Sequence, residues 1–242
     1  MLKLHNDTLA AQCLEMARAL FAREEPVAGA KLHAAVELYL TTGDAVYRNY
    51  ILRNQAAVIK NIGRNAPILA RLARQWEQQG DKQERRFAAT FRKALPACVE
   101  QMKNEAAKTP YGVPYEPSIW GAGWGIQSFG VKYYYLTKYY PELFEPQPVY
   151  SALDFILGCH PGSNTASFAS GVGAKSATVA YGTTRADWSY VPGGVVSGTA
   201  IIRPDFPELL EFPYLWQQTE YVLGGGSSDY MFLVLAAKHL MK

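Results

Sequence analysis

Apolar side chains recur at helical spacing through the first half of the chain. Leu9, Cys13, Met16, Ala17 and Leu20 lie three or four residues apart or side by side, which predicts an amphipathic helix that Pro26 ends. In AGAKLHAAVELYLTTGDAVYRNYILRNQAAVIKNIG the pair Gly43-Asp44 divides two helices, and Asp44 stands where an N-cap of the second belongs. Leu69, Leu72, Ala73 and Trp76 form the next stripe, closed by Gly80. A longer segment runs from Asp81 to about Lys108, with Pro96 expected to kink or break it. LYLTTGDAVY, starting at Leu38, is echoed by YYLTKYYPEL, starting at Tyr134. Each is an aromatic helix end, then Leu-Thr, then a short turn, as repeated helical hairpins would produce.

From Pro141 the pattern changes. Glycine, proline and serine rise in GCHPGSNTASFASGVGAKSATVAYGTTRADWSYVPGGVVSGTAIIRPDFP, and helical periodicity fades. So long a stretch is uncommon inside a compact domain unless it is functional. Phe168, Tyr181, Trp188 and Tyr190 make it too aromatic for a disordered linker, so ordered loops across one face of a helical scaffold are expected. Then comes WQQTEYVLGGGSSDYMFLVLAA, in which Glu220 precedes three glycines and a C-terminal helix with Ser227, Ser228 or Asp229 as N-cap. A phosphate loop would need a lysine directly before the serine, and a glycine stands there instead.

Composition narrows the class. The 242 residues, 49% of them hydrophobic, suit a single domain over 1–242 with a sizeable core. A net charge of +3, without a long basic run, speaks against nucleic acid and anionic membranes as partners. Cys13, Cys98 and Cys159 are widely spaced, and the four histidines form no metal-ligand pattern, so neither a metal nor another cofactor is expected. The opening residues read as a helix rather than a signal peptide, and no apolar run approaches a membrane span. A soluble protein is expected, its location left open with a bacterial cytoplasm slightly favoured.

Several ordered motifs resemble those of glycoside hydrolase family 9, which includes cellulases. LDFILGCHPGSNTASFASGVGAKSATVAYGTTR is similar to that family's signature at Asp154, Leu157, Gly158, Pro161, Ser167, Phe168, Gly171, Gly173 and Arg185, and Pro192-Gly193-Gly194 continues it. KLHAAVELYLTTGDAVY resembles the family's Trp-Ala-Ala-x-Glu-Leu-Tyr segment, and TEYVLGGGSSDYMFLVLAA occupies the place of its closing Asn-Glu block. The resemblance implies a mainly α fold, an (α/α)6 toroid of six helical hairpins. With about seven helical segments, this chain would be the C-terminal part of such a toroid, its partner the missing N-terminal part of the same catalytic domain.

The resemblance also implies an inverting hydrolase of β-1,4-linked glucans or their oligosaccharides, with Glu220 as general acid. Such chemistry needs two carboxyl groups far enough apart to admit a water beside the sugar. Trp216 and Tyr221 beside Glu220 would raise its pKa, and the glycines would let backbone pass close to a sugar. Arg185 can hold sugar hydroxyls with its planar fork or pair with Asp187; Trp120, Trp124, Trp188 and Tyr181 are candidate stacking platforms. His160 is expected to cap or orient the LGCHP turn. Three departures stand out. Thr183-Thr184 replaces the family's two histidines, Thr219 replaces the asparagine before the glutamate, and the Asp-Ala-Gly-Asp segment that carries the family's base does not occur. An exo-acting hydrolase of short glucosamine-containing β-glycosides and a non-catalytic carbohydrate-binding helical module remain the alternatives.

Overall fold

Asparagines cut the N-terminal helices more often than hydrophobic spacing foretells. The computed structural model describes residues 4–23, 30–108, 112–114, 122–160, 166–173, 175–176, 193–196, 221–222 and 225–242. Among these, nine helices and four two-residue strands are found. They fall into two compact units, Met1–Cys98 and Val99–Lys242, which are taken in turn.

In the first unit, α1 (Asp7–Ala22) is capped by the Asn6 side chain, which accepts from the Leu9 N–H at 2.9 Å. Of the stripe expected to be its buried face, Leu9, Cys13, Met16 and Leu20 are exposed and only Ala17 is half-buried, along with Leu14 and Phe21. Phe21 sets its edge against Tyr47 and Tyr50. α2 (Ala30–Thr42) buries Leu32, Ala35, Val36 and Leu38. It stops at Gly43, whose φ of 75° is the left-handed value that closes a helix end.

Asp44 does take the N-cap position of α3 (Ala45–Arg53), but its carboxylate makes no capping bond. It reaches Arg18 at 3.0 Å instead, so the capping role inferred for its side chain is corrected. α4 (Gln55–Lys60) and α5 (Ile62–Gln79) follow, where the hydrophobic pattern marked no breaks. The cause is local. The Asn54 side chain donates to the Tyr50 carbonyl at 2.7 Å and Asn61 to that of Ala57 at 3.0 Å. Each amide thereby competes with the helical ladder one turn back.

Leu69, Leu72, Ala73 and Trp76 are buried as the stripe on α5 requires, with the Trp76 edge on Phe87. Gly80 ends that helix with no room for a side chain: a Cβ there would stand 2.6 Å from the Trp76 carbonyl oxygen. Asp81 then opens α6 (Lys82–Ala106) in a reciprocal capping box. The Asp81 Oδ1 accepts from the N–H groups of Gln83 and Glu84, while Glu84 Oε2 accepts from the Asp81 N–H. Pro96 lies within this helix without breaking it.

The second unit holds α7 (Ala122–Tyr139), α8 (Gln147–Ile156) and α9 (Gly225–Leu240), which pack on one another. Gly130 permits the close approach, since a Cβ there would meet Leu233 Cδ1 at 2.7 Å and the Ala152 Cβ at 2.8 Å. Around it Tyr133 sets its edge on Phe144, and Tyr135 stacks on Phe232. The two echoing stretches both end a helix and turn into the next, α2 to α3 and α7 to α8. No described helix is long and apolar enough to cross a membrane.

Candidate functional site

α8 ends because Gly158 follows it at φ 119°, which only glycine adopts readily. The turn is tied back by the Cys159 N–H, which donates to the Asp154 carbonyl at 2.9 Å. From here the chain is stitched across segments far apart in sequence. The Phe168 N–H donates to the Ile156 carbonyl at 2.8 Å, seating the Ser-Phe-Ala-Ser stretch on the end of α8. Ser170 and the Gly193-Gly194 turn exchange bonds, Ser170 N–H to the Gly194 carbonyl at 2.8 Å and Gly193 N–H to the Ser170 carbonyl at 3.2 Å. Ala169 bridges Val195. β3 (Val195–Val196) in turn pairs antiparallel with β4 (Tyr221–Val222), with Val196 opposite Tyr221, and α9 starts three residues later. A parallel pair, β1 (Ala166–Ser167) with β2 (Lys175–Ser176), completes the described part of this layer.

Buried polar contacts hold the layer together. The Ser167 hydroxyl, fully buried, lies 2.9 Å from the Ala169 carbonyl oxygen and 3.3 Å from that of Ile156, and accepts from the Ala169 N–H. His160 is buried and stacks on Phe168 at 5.2 Å, with Phe155 beside both. The contact described for His160 is thus with the Ser-Phe-Ala-Ser stretch. Gly173, at φ 81°, sits so tightly that a Cβ would stand 2.6 Å from the Leu157 carbonyl oxygen and 2.7 Å from the Ser167 Cβ. Gly173→Ala is expected to destabilise the second unit by about 2 kcal/mol through backbone strain and overpacking. A denaturation midpoint equal to that of the unmodified chain would show that the loop does not need this seat.

Of the residues expected to carry the chemistry, Glu220, Arg185, Asp187, Tyr181, Trp188 and Trp120 lie outside the described residues. Trp124 lies in the first turn of α7, half-buried. The N-cap expected at Ser227, Ser228 or Asp229 is corrected: α9 begins at Gly225, so Ser227 and Ser228 lie within its first turn and Asp229 in its second. Burial pushes the Asp229 carboxyl above the ordinary carboxylate range, opposed by the charge of Lys132, and burial raises Tyr230 likewise. Asp154 is raised by burial too. The perturbed Asp229 was not singled out as a titrating group in the sequence, where it looked like a cap. Gln127 was also passed over, though a lone amide in the apolar run GWGIQSFGV was its visible signal. Among the described residues no group of three metal-ligating side chains occurs.

Helical hairpins with a loop layer stitched over their ends define part of an α/α toroid. Solved structures share this fold. The cellulase Cel9M of C. cellulolyticum superposes with a TM-score of 0.72 over 99% of this chain and 60% of its own, at 19% identity. AaCel9A, solved in complex with cellobiose-like isofagomine, superposes with a TM-score of 0.63 over 85% of this chain and 42% of its own, at 14% identity. The chain therefore spans less than two thirds of the length of either. No protein-family model and no curated protein matches it.

Proposed function

We propose that the chain is the C-terminal part of an inverting glycoside hydrolase that acts on β-1,4-linked glucans or their oligosaccharides. The observation that carries this reading is the hydrogen-bonded layer running from the end of α8 through Phe168, Ser170 and the Gly193-Gly194 turn to β4. It joins motif segments that are far apart in sequence, and its last strand begins one residue after Glu220. A sugar site needs such a layer to hold its acid and its stacking groups in one place. That one fold neighbour is a cellulase and the other was solved with a cellobiose-like ligand supports glucose units as the substrate.

Glu220 is the general acid in this reading, Arg185 holds hydroxyls, and Tyr181, Trp188, Trp124 and Trp120 offer ring faces to the sugar. The base belongs to the part of the toroid that this chain does not span. The Thr183-Thr184 pair in place of two imidazoles favours a second reading, an exo-acting enzyme on short, glucosamine-containing substrates. Cellulose, cellotetraose and chitosan disaccharides, offered to the complete toroid, separate the two by which of them is cleaved.

The 242-residue chain by itself is expected to bind cellotetraose without hydrolysing it, because an inverting mechanism cannot proceed without a carboxylate to activate the water. The assay uses the purified chain, its size read by light scattering. Clear turnover by a monodisperse monomer, lost on Glu220→Gln, would put the base within these residues and make Asp187 the first place to look.

A further inference from the structure

One polar side chain in the second unit is buried where packing alone calls for an apolar one. Gln127, in the second turn of α7, is fully buried, and among the described residues neither its Oε1 nor its Nε2 has a hydrogen-bonding partner. A primary amide offers two donors and two acceptor lone pairs, and a buried group left unmatched weakens a fold. Its helical neighbours Gly123, Ile126 and Gly130 are buried as well. On that face leucine or methionine would fill the same space without an unmet polar group. Stability does not account for a glutamine here.

The surroundings of the amide point to a ligand. Side chains on a helix lean toward its N-terminus, so Gln127 leans over the turn that holds Gly123 and Trp124. Gly123, four residues earlier on the same face, has no side chain to fill that turn. A glutamine's three rotatable bonds let its carboxamide turn over this end of α7. Trp124, the one stacking candidate among the described residues, stands in the same turn. α7 also packs against α9, the helix that follows Glu220.

We propose that Gln127 is a substrate-binding residue whose carboxamide hydrogen-bonds sugar hydroxyls beside a ring stacked on Trp124. Vicinal hydroxyls present a donor and an acceptor side by side, as the carboxamide does, so the pair selects for an unmodified diol over a substituted one. The inference rests on the reading of this chain as part of a β-glucan hydrolase.

The test is Gln127→Leu in the 242-residue chain, with Gln127→Met as a second variant should leucine impair folding. Urea denaturation gives stability, and calorimetric titration with cellotetraose gives affinity. The expected result is a denaturation midpoint raised above that of the unmodified chain, together with an affinity about tenfold weaker, the loss of one to two hydrogen bonds. A merely structural amide cannot produce that opposition. A lowered midpoint in both variants would mean that the fold itself uses the amide, and an unchanged affinity would mean that the sugar does not; either overturns the proposal. Failure of the unmodified chain to bind cellotetraose at all would instead overturn the hydrolase reading of this chain, and this inference with it.

Discussion

Glu220→Gln in the complete toroid is expected to lower turnover of an unactivated β-1,4-glucan by about 10²–10⁴-fold, the usual contribution of general acid catalysis. The amide keeps the shape and hydrogen-bonding reach of the carboxyl but has no proton to give the departing oxygen, so substrate affinity is expected to stay close to that of the unmodified enzyme. An aryl glycoside, whose leaving group needs little protonation, should suffer much less from the same change. That contrast separates loss of an acid from damage to the fold. The motivation is the place of Glu220, one residue before the strand that ties the loop layer to α9. Retention of half the rate on cellotetraose would end the assignment.

Glu84→Ala is expected to destabilise the first unit by about 3 kcal/mol, the loss that follows when one partner of a largely buried ion pair is removed. Glu84 Oε1 accepts from Arg48 Nε at 2.8 Å and from the Tyr39 hydroxyl at 2.8 Å, while its Oε2 accepts from the Asp81 N–H. Arg48 also pairs with Asp81, so the cluster binds α2 and α3 to the start of α6. Without Glu84, Arg48 keeps a single, exposed carboxylate and Tyr39 loses its acceptor. A urea midpoint shifted by less than the equivalent of 1 kcal/mol would contradict the estimate.

The same cluster fixes the direction of a pH effect. Burial is the largest influence on Glu84 and pushes its pKa up, but the Asp81 N–H, Arg48 and Tyr39 together outweigh it and hold the carboxyl below its ordinary value. Asp81 is held low first by the Glu84 N–H and then by the Gln83 N–H and Arg48, which together outweigh the opposing effect of burial. Both pKa values are lower in the folded chain than in the unfolded one. Their stabilisation is therefore complete above the ordinary carboxylate range and lost as pH falls through the folded values. Glu84→Ala should show a shallower loss of stability in acid than the unmodified chain.

Much of the helical scaffold was legible in the sequence because periodicity reports which residues share a helix face. The stripe Leu69, Leu72, Ala73 and Trp76 is buried as read, and the Gly43 stop was visible because the left-handed backbone of a helix end favours glycine. The breaks at Asn54 and Asn61 were not, since an asparagine amide either returns to its own helix or points to solvent, and sequence does not say which. Periodicity grouped Leu9, Cys13, Met16, Ala17 and Leu20, of which only Ala17 is half-buried, and it could not say which side of α1 faces outward; burial depends on what lies opposite. In the loop region the motif residues named the segments, but not their partners. Pairing between residues as distant as Ser170 and Gly194, or Val196 and Tyr221, is a tertiary outcome, because backbone hydrogen bonds carry no residue code. Gln127 makes the same point at one side chain. The sequence shows an amide among apolar residues, whereas its lack of a partner among the described residues depends on the neighbours that the fold brings round it.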